Sequence, residues 1–399
     1  MEDTDEAISR HNRLKKTKFE AITIIYLLMH CWQLPNWPNF TYDRNTLEEL
    51  IREVTDTLRP LLKTVIELPA EDKHRYLLEV MIEEAKNTSS IEGEFMSRED
   101  IYSSIINHRR IGYPTLNVID KRAVGVGRLT NMVASTFDLP LTEATLKYWH
   151  GVLLNGNTSL RSVGDYRLGP DPMRIVSGPQ NNLTIHYEAP PAEQVAAEMG
   201  VFVEYLSKRQ ADDQLVHTIL LAGITHIHFE SIHPFEDGNG RIGRAIIDHI
   251  LSNALEMPVP FSVSQALQLR QQDYYNALGS ARKDLDATEW MRFFLEVLVK
   301  SIDLAKDYVT FTLQKTAILD SIQSSINTNQ KKVLLKLFDK GPSGFDGGLS
   351  AKNYMSITRT SRATATRDLA ELVEMGVLNR TGAGRSTRYE LKLPDTPDA

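Results

Sequence analysis

The spacing of apolar residues predicts helices along most of the chain. In the central part, apolar side chains recur at three- and four-residue intervals, which is the period of an amphipathic helix. The segments with this spacing are 120–137, 142–154, 192–207, 213–230, 241–254, 265–281 and 288–313. The pattern therefore predicts a mainly α protein.

One region breaks this helical pattern. Residues 164–191 are rich in Gly, Pro and Asn, and they contain two β-prone runs at 174–177 and 183–187. Because Gly178 and Pro179 separate the runs, we expect an exposed β-hairpin between two helices.

The composition is that of a folded globular protein. The chain has 399 residues, of which 42% are hydrophobic and 24% charged, so disordered and collagen-like classes are excluded and two or three domains are expected. The single cysteine, Cys31, has no partner for an internal disulfide and fits a reducing compartment. The apolar stretch 19–32 contains Glu20 and His30 and is too short to span a bilayer. We expect a buried helix there, a cytoplasmic protein and no membrane partner.

Charge is distributed unevenly along the chain. With 45 basic and 52 acidic residues, the net charge is −7. Residues 329–393 nevertheless carry twelve basic and six acidic side chains, a net charge of +6, which leaves −13 for the remainder. This asymmetry is typical of a nucleic-acid-binding module joined to an acidic domain.

The basic segment resembles a winged helix-turn-helix. Its pattern predicts three helices and two strands, at 330–339, 350–355, 361–375, 377–380 and 387–391. In that fold the third helix enters the major groove of DNA and the wing meets phosphates. The expected DNA contacts are Arg362, Thr364 and Arg367 from the third helix and Arg385 and Arg388 from the wing. Winged helices also serve in dimerisation and protein binding, so a homodimer is an alternative.

The segment from His233 to Arg244, H-P-F-E-D-G-N-G-R-I-G-R, lies between two apolar helices. A loop of small residues that opens a helix presents unpaired backbone N–H groups, which together with the helix dipole can hold an anion. Gly238 and Gly240 permit the close backbone approach that a phosphate requires. The segment therefore predicts a phosphate-binding loop.

The side chains around this loop indicate phosphoryl or nucleotidyl transfer. Arg241 and Arg244 lie three residues apart, hence on one helix face, where both can grip a polyphosphate. Asp237 offers the hard oxygen ligand that Mg²⁺ prefers. His233 is suited to accept a proton near neutral pH.

A zinc site is the alternative interpretation of the histidines. His226, His228 and His233 lie close together in sequence. His226 and His228, however, are two residues apart, so on a continuous helix they would point in different directions. This spacing disfavours a shared metal.

The loop segment resembles the signature of the Fic family, H-x-F-x-[D/E]-G-N-G-R-x-x-R, and meets every defined position. The resemblance covers about residues 80–300. It implies an all-α fold with a β-hairpin flap over a target-binding groove. It also implies transfer of AMP from ATP to a protein hydroxyl. The related Doc kinases have a lysine after the loop asparagine, whereas Gly240 follows Asn239 here, which favours nucleotidyl transfer.

The resemblance also implies a role for each loop residue. His233 would be the general base, Asp237 would hold Mg²⁺, and Phe235 would anchor the loop. The residues expected to bind the phosphates of ATP are Gly238, Asn239, Gly240, Arg241 and Arg244. Tyr274 and Tyr275 resemble aromatics on the family's late helices that contact adenine, although ordinary core packing explains them equally well.

A second motif predicts autoinhibition. The run T-S-S-I-E-G at 88–93 matches the family's inhibitory motif [S/T]-x-x-x-E-[G/N]. A Glu92 carboxylate against Arg244 would occupy the guanidinium meant for the γ-phosphate. In some relatives the equivalent glutamate also assists removal of AMP. The segment 37–43 further resembles a Fic-associated N-terminal domain of unknown role.

These patterns predict three domains: an N-terminal helical domain at 1–90, a Fic catalytic domain at 91–315 and a winged helix-turn-helix at 325–393. The expected function is that of an autoinhibited adenylyltransferase acting on a Tyr, Thr or Ser hydroxyl of a target protein or of itself. Two alternatives are a nucleotide-sensing transcriptional regulator with little turnover and a Fic enzyme that removes AMP or transfers another group such as phosphocholine.

Overall fold

A computed structural model describes residues 29–109, 115–177, 184–209, 215–338, 345 and 347–393. The predicted mainly α fold is confirmed. The helices of the first two thirds are α1 (Arg44–Glu67), α2 (Ala70–Ile91), α3 (Arg98–Arg109), α4 (Arg122–Ser135), α5 (Glu143–Leu153), α6 (Ala192–Arg209), α7 (Leu215–Ile232) and α8 (Asn239–Leu255). The later helices are α9 (Val263–Leu269), α10 (Gln271–Ala281), α11 (Thr288–Ile322), α12 (Thr328–Phe338), α13 (Ala351–Thr358) and α14 (Arg362–Glu374).

The chain forms two compact units. One comprises Met1–Leu58 with Val80–Ser301, and the other comprises Arg59–Glu79 with Ile302–Ala399. Each unit combines two separate segments of the sequence, so the units do not correspond to consecutive stretches of the chain. The domain limits at 90 and 315 stay predictions.

Helix α7 forms the centre of the first unit. Every side chain from Thr218 to Ile232 is buried, and α8 packs along it. By length and composition α7 could cross a membrane, but 78% of it is buried inside the protein, which is typical of a core helix. Because α7 is enclosed on all sides, its C-terminal end is a rigid starting point for the loop that follows.

Two helix boundaries differ from the sequence prediction. The prediction of one helix over 265–281 was wrong, because the chain leaves helical geometry at Arg270, with φ −122° and ψ 35°. The Arg270 guanidinium there pairs with Glu296 at 2.9 Å. Helix α11 in turn continues past the predicted end at 313 to Ile322. The predicted buried helix at 19–32 falls largely outside the described residues, and Cys31–Gln33 form a 3₁₀ turn.

The predicted hairpin is present as β1 (Arg174–Ser177) and β2 (Thr184–Glu188), which pair antiparallel. Ile175 pairs with Tyr187 and Val176 with Ile185, so His186 is the extra residue of a β-bulge. The connection at 178–183, including the predicted start of the second strand, lies outside the described residues.

The second unit contains the basic segment. Helices α12 to α14 precede β3 (Leu378–Thr381) and β4 (Arg388–Leu391), which pair antiparallel. The three helices and the hairpin enclose a core that includes Val333, Leu334 and Leu369, each fully buried. Ser361 caps α14 by accepting a hydrogen bond from the Thr364 N–H, as its sequence position predicts.

Candidate active site

The loop between α7 and α8 requires two left-handed backbone conformations. His233 has φ 49° and Gly238 has φ 79°. Gly238 immediately precedes α8, and a Cβ there would lie 3.3 Å from the side chains of Leu153 and Leu154. The first-turn amides of α8 have no intrahelical acceptor, so they are available to an anion.

Asn239 holds the loop together. Its amide nitrogen donates to the Phe235 carbonyl at 2.9 Å, and its amide oxygen accepts from the Phe235 N–H at 2.9 Å. Phe235 is fully buried and stacks on His150 with ring centroids 4.1 Å apart. Both ends of the Asn239 side chain are therefore engaged within the loop, and its expected phosphate contact stays a prediction.

A segment remote in sequence supports the loop from outside. Arg167 donates its Nε–H to the His233 carbonyl at 2.8 Å, and its backbone N–H donates to the Pro234 carbonyl at 2.9 Å. Glu236 accepts the Arg161 N–H at 2.9 Å. Burial lowers the pKa of Arg167 to about 10. Sequence reasoning missed this support, because neither Arg161 nor Arg167 belongs to a recognisable motif.

Arg244 is bound to the end of α2. Its Nε donates to Thr88 Oγ1 at 2.7 Å, and its Nη2 donates to the Thr88 carbonyl at 2.9 Å and to Glu92 Oε1 at 2.7 Å. Only 1% of the Arg244 side chain is exposed. Burial by itself would lower the pKa of Arg244, but the Glu92 charge and other nearby groups raise it above its ordinary value. Arg244 therefore stays charged and tied to Glu92.

Arg241 has a second carboxylate partner that sequence reasoning missed. Its Nη1 donates to Glu94 Oε2 at 2.7 Å, and its Nη2 lies 3.5 Å from Asp237 Oδ1. The Arg241 side chain is 5% exposed. Glu94 lies two residues past Glu92, so one turn after α2 supplies carboxylates to both loop arginines.

Asp237 has the properties expected of a Mg²⁺ ligand. Its side chain is half exposed, and its Oδ1 accepts the Gly238 N–H at 2.6 Å. No group of three or more His, Cys, Asp or Glu residues converges in the part of the chain that the structure describes. A single carboxylate fits Mg²⁺, which usually binds through one or two carboxylates together with substrate phosphates.

A cavity of about 830 Å³ adjoins the loop. Its lining includes His233, Gly240 and Arg244, together with Glu92. This volume lies within the range of small-molecule sites. The expected base, one of the arginines expected to bind phosphate and the carboxylate expected to inhibit thus line the same cavity.

The two candidate adenine contacts also line this cavity but differ in exposure. Tyr274 is 1% exposed, and its hydroxyl lies 2.8 Å from His226 Nε2. Tyr275 is 42% exposed, and its hydroxyl donates to the Ile91 carbonyl at 2.6 Å. The Tyr275 side chain is therefore hydrogen-bonded to the C-terminal end of α2, next to Glu92, the residue with the expected inhibitory role.

The histidines of α7 occupy separate environments. The His226 ring stacks on Trp290, whereas the His228 ring contacts Trp37 and Phe202 edge-on. Burial lowers the pKa of His226 to about 4 and that of His228 to about 3. Both imidazoles serve packing, in agreement with the spacing argument against zinc.

The described residues among the predicted DNA contacts lie on α14 and on strand β4. Arg362 is exposed, and Thr364, next to the N-cap residue Ser361, is half-buried. Arg367 is 67% exposed, and its Nε atom lies 3.7 Å from Glu371 Oε1. The Arg388 guanidinium donates to the Thr387 carbonyl. The side chain of Arg385 lies outside the described part of the structure.

The family comparison confirms the resemblance of the loop to the Fic signature: residues 140–251 match the model of the Fic/DOC family. Residues 30–111 match a domain of unknown function, DUF4172. Residues 346–392 match the C-terminal domain of the DIP2311-like transcriptional regulators.

Curated relatives match part of the chain. A protein adenylyltransferase Fic of Nematostella vectensis is 32% identical over 115 residues, which are 29% of this chain and 25% of that protein. Another of the same name from Aedes aegypti is 27% identical over 169 residues, 41% of this chain and 32% of that protein. The matches thus span a quarter to a third of those relatives. A solved Fic family protein from Desulfovibrio desulfuricans shares the fold, with TM-score 0.50, 22% identity, and coverage of 90% of this chain and 99% of that one.

Proposed function

We propose that this chain is a protein adenylyltransferase that moves AMP from ATP to a hydroxyl group of a protein. The observation that carries the proposal is the cavity lined by His233, Gly240 and Arg244 at the start of a helix. A charged, buried guanidinium beside unpaired helix amides favours a polyphosphate ligand. The names of the curated relatives support the same chemistry.

The reaction divides among the loop residues. The His233 imidazole takes the proton of the target hydroxyl, whose oxygen forms a bond to the α-phosphorus of ATP. The bond from that phosphorus to the α,β-bridging oxygen breaks, and pyrophosphate leaves. Arg241, Arg244 and the amides of α8 bind the phosphates. Asp237 would hold Mg²⁺, which when bound neutralises phosphate charge.

We further propose that Glu92 and Glu94 inhibit this activity. The Glu92–Arg244 and Glu94–Arg241 pairs occupy the two guanidinium groups that the phosphates require. A triphosphate must displace both carboxylates or bind without its arginine partners. Either case lowers the population of productive complexes.

Labelled ATP tests the activity and its inhibition together. With α-labelled ATP and Mg²⁺, we expect Glu92→Gly to raise label transfer to protein at least about tenfold, because Arg244 becomes available. Adding His233→Ala to Glu92→Gly should remove transfer while ATP binding persists. If Glu92→Gly leaves transfer at the background level of His233→Ala, the adenylyltransferase proposal is wrong. Release of AMP from a labelled protein would instead favour the AMP-removing alternative.

We also propose that the second unit binds DNA. Arg362 and Arg367 are exposed on α14, the helix that a winged helix-turn-helix places in the major groove. The match to a transcriptional regulator domain supports this assignment. A protein that binds DNA and nucleotide but transfers no AMP would favour the nucleotide-sensing regulator, and a mass measurement would test the proposed homodimer.

A further inference from the structure

Two buried charged residues lie behind the catalytic histidine. Glu230, two residues before the end of α7, has its Oε2 atom 3.7 Å from His233 Nδ1. The same Oε2 atom accepts a hydrogen bond from Arg282 Nη2 at 2.9 Å, and this nitrogen also donates to the Glu230 carbonyl at 2.9 Å. The side chains of Glu230 and Arg282 are 5% and 6% exposed. The His233 imidazole, the Glu230 carboxylate and the Arg282 guanidinium therefore lie next to one another in this order.

The histidine ring is fixed with one nitrogen toward the carboxylate. His233 Nδ1 is buried and has no hydrogen-bond partner among the described residues. The left-handed backbone at His233 turns the chain away from the helix directly after Ile232. Since His233 also lines the cavity, Nε2 is the ring nitrogen left for a substrate.

Arg282 is itself held in place by other parts of the chain. Its guanidinium carbon lies 4.9 Å from the centre of the Tyr187 ring on β2. Its carbonyl accepts the Cys31 N–H at 2.8 Å. The hairpin and the N-terminal segment thus both contact the residue that orients Glu230.

These charges keep Glu230 ionised. Burial alone would raise the pKa of Glu230, but the adjacent His233 ring and the charge of Arg282 lower it to about 2. The other groups that interact electrostatically with Glu230 are His226, Arg244, Tyr274 and Tyr275. An ionised carboxylate beside Nδ1 favours the tautomer with hydrogen on Nδ1 and stabilises a protonated ring.

We propose that Glu230, held by Arg282, is a positioning residue for His233. It keeps hydrogen on Nδ1, so that Nε2 accepts the proton of the target hydroxyl, and it stabilises the imidazolium that results. Glu230 itself takes no proton, and the hydroxyl oxygen bonds to the α-phosphorus as pyrophosphate departs. The inference rests on the proposed adenylyl transfer for its kinetic consequence, but not for the tautomer.

The kinetic test uses the Glu92→Gly background. Adding Glu230→Gln should lower kcat about 100-fold or more while KM for ATP changes little, because base strength and ring orientation are lost. Glu230→Asp should recover part of kcat. The matched control Glu296→Gln removes the partner of Arg270 and should leave kcat unchanged.

A second measurement reads the tautomer without activity. Nitrogen NMR of histidine-labelled protein, with His233→Ala to identify the resonance, should show hydrogen on Nδ1 of His233 in the unmodified chain. Hydrogen on Nε2 overturns the inference, even if Glu230→Gln fails to fold. An unchanged kcat in folded Glu230→Gln also overturns it. If no variant transfers AMP but the Nδ1 tautomer is present and lost in Glu230→Gln, the positioning role stands and the proposed function fails.

Discussion

Two helices of this protein present arginines in their first two turns, and the surroundings of these arginines are opposite. Near the start of α8, the side chains of Arg241 and Arg244 are 5% and 1% exposed, and both are paired with carboxylates. Near the start of α14, Arg362 is exposed and Arg367 is 67% exposed. Arginines near the start of a helix are thus found in two different environments.

The two pairs of arginines differ because a buried charge requires a partner and an exposed charge does not. A buried guanidinium must have partners, because an unpaired charge away from water costs several kcal/mol. Under the proposed function, a ligand would have to replace the carboxylate partners of Arg241 and Arg244, so Glu92 and Glu94 would control its access. An exposed arginine needs no partner, and salt screens what it contributes to binding. The first site is suited to regulated chemistry and the second to electrostatic attraction.

The largest expected effect is the difference between replacing a buried arginine of α8 and replacing an exposed arginine of α14. Arg244→Ala should lower the free energy of unfolding by about 2–4 kcal/mol, because Thr88 and Glu92 lose a shared partner. In the Glu92→Gly background it should also lower AMP transfer by about 100-fold or more. Arg362→Ala should change the unfolding free energy by less than about 0.5 kcal/mol and leave transfer intact. Denaturant unfolding and label transfer measure both effects, and equal values for the two variants would contradict the comparison.

A smaller effect is expected from the loop asparagine. Asn239→Ala should lower the free energy of unfolding by about 1–3 kcal/mol, because it leaves the Phe235 N–H and carbonyl unpaired in a buried loop. The control Asn379→Ala removes an exposed asparagine from β3 and should change it by less than about 0.5 kcal/mol. Thermal or denaturant unfolding compares them. If the Asn239 variant is as stable as the control, the loop does not depend on the two hydrogen bonds between Asn239 and Phe235.

The sequence predicted the parts of the site that are contiguous in the chain. The loop from His233 to Arg244 could be recognised because its glycines, arginines and histidine follow one another at fixed spacing. Glu92 could be recognised from a motif of its own. The capping of α14 by Ser361 was likewise predictable, because a helix cap depends on neighbouring residues alone.

The remaining contacts depend on packing of distant segments. Glu94 is separated from Arg241 by 147 positions, Arg167 from His233 by 66, and Glu230 from Arg282 by 52. No local period or propensity encodes such pairs, since they form only when the helices pack. The break at Arg270 was missed for a related reason: the apolar spacing continues through it, while its ion pair with Glu296 depends on the fold.

The second carboxylate gives a finer test of the buried arginines. In the Glu92→Gly background, Glu94→Gln should raise AMP transfer about fivefold, the equivalent of about 1 kcal/mol for a partly exposed ion pair. Glu99→Gln changes an exposed carboxylate on the following helix and should have no effect. Initial rates of label transfer at subsaturating ATP measure the change. Equal rates for Glu94→Gln and Glu99→Gln would show that breaking the Glu94–Arg241 ion pair is not required for AMP transfer.

The smallest effect per residue is expected on α14, where binding comes from many weak contacts. If each exposed arginine meets one phosphate, the double variant Arg362→Ala/Arg367→Ala should reduce the slope of log K against log salt by about 2. Its affinity for duplex DNA should fall several-fold at low salt and less at high salt. The control Arg52→Ala removes an exposed arginine from α1 and should leave the slope unchanged. An equal slope for both proteins would mean that α14 does not face DNA, because release of counterions follows the number of phosphates neutralised rather than the total charge of the chain.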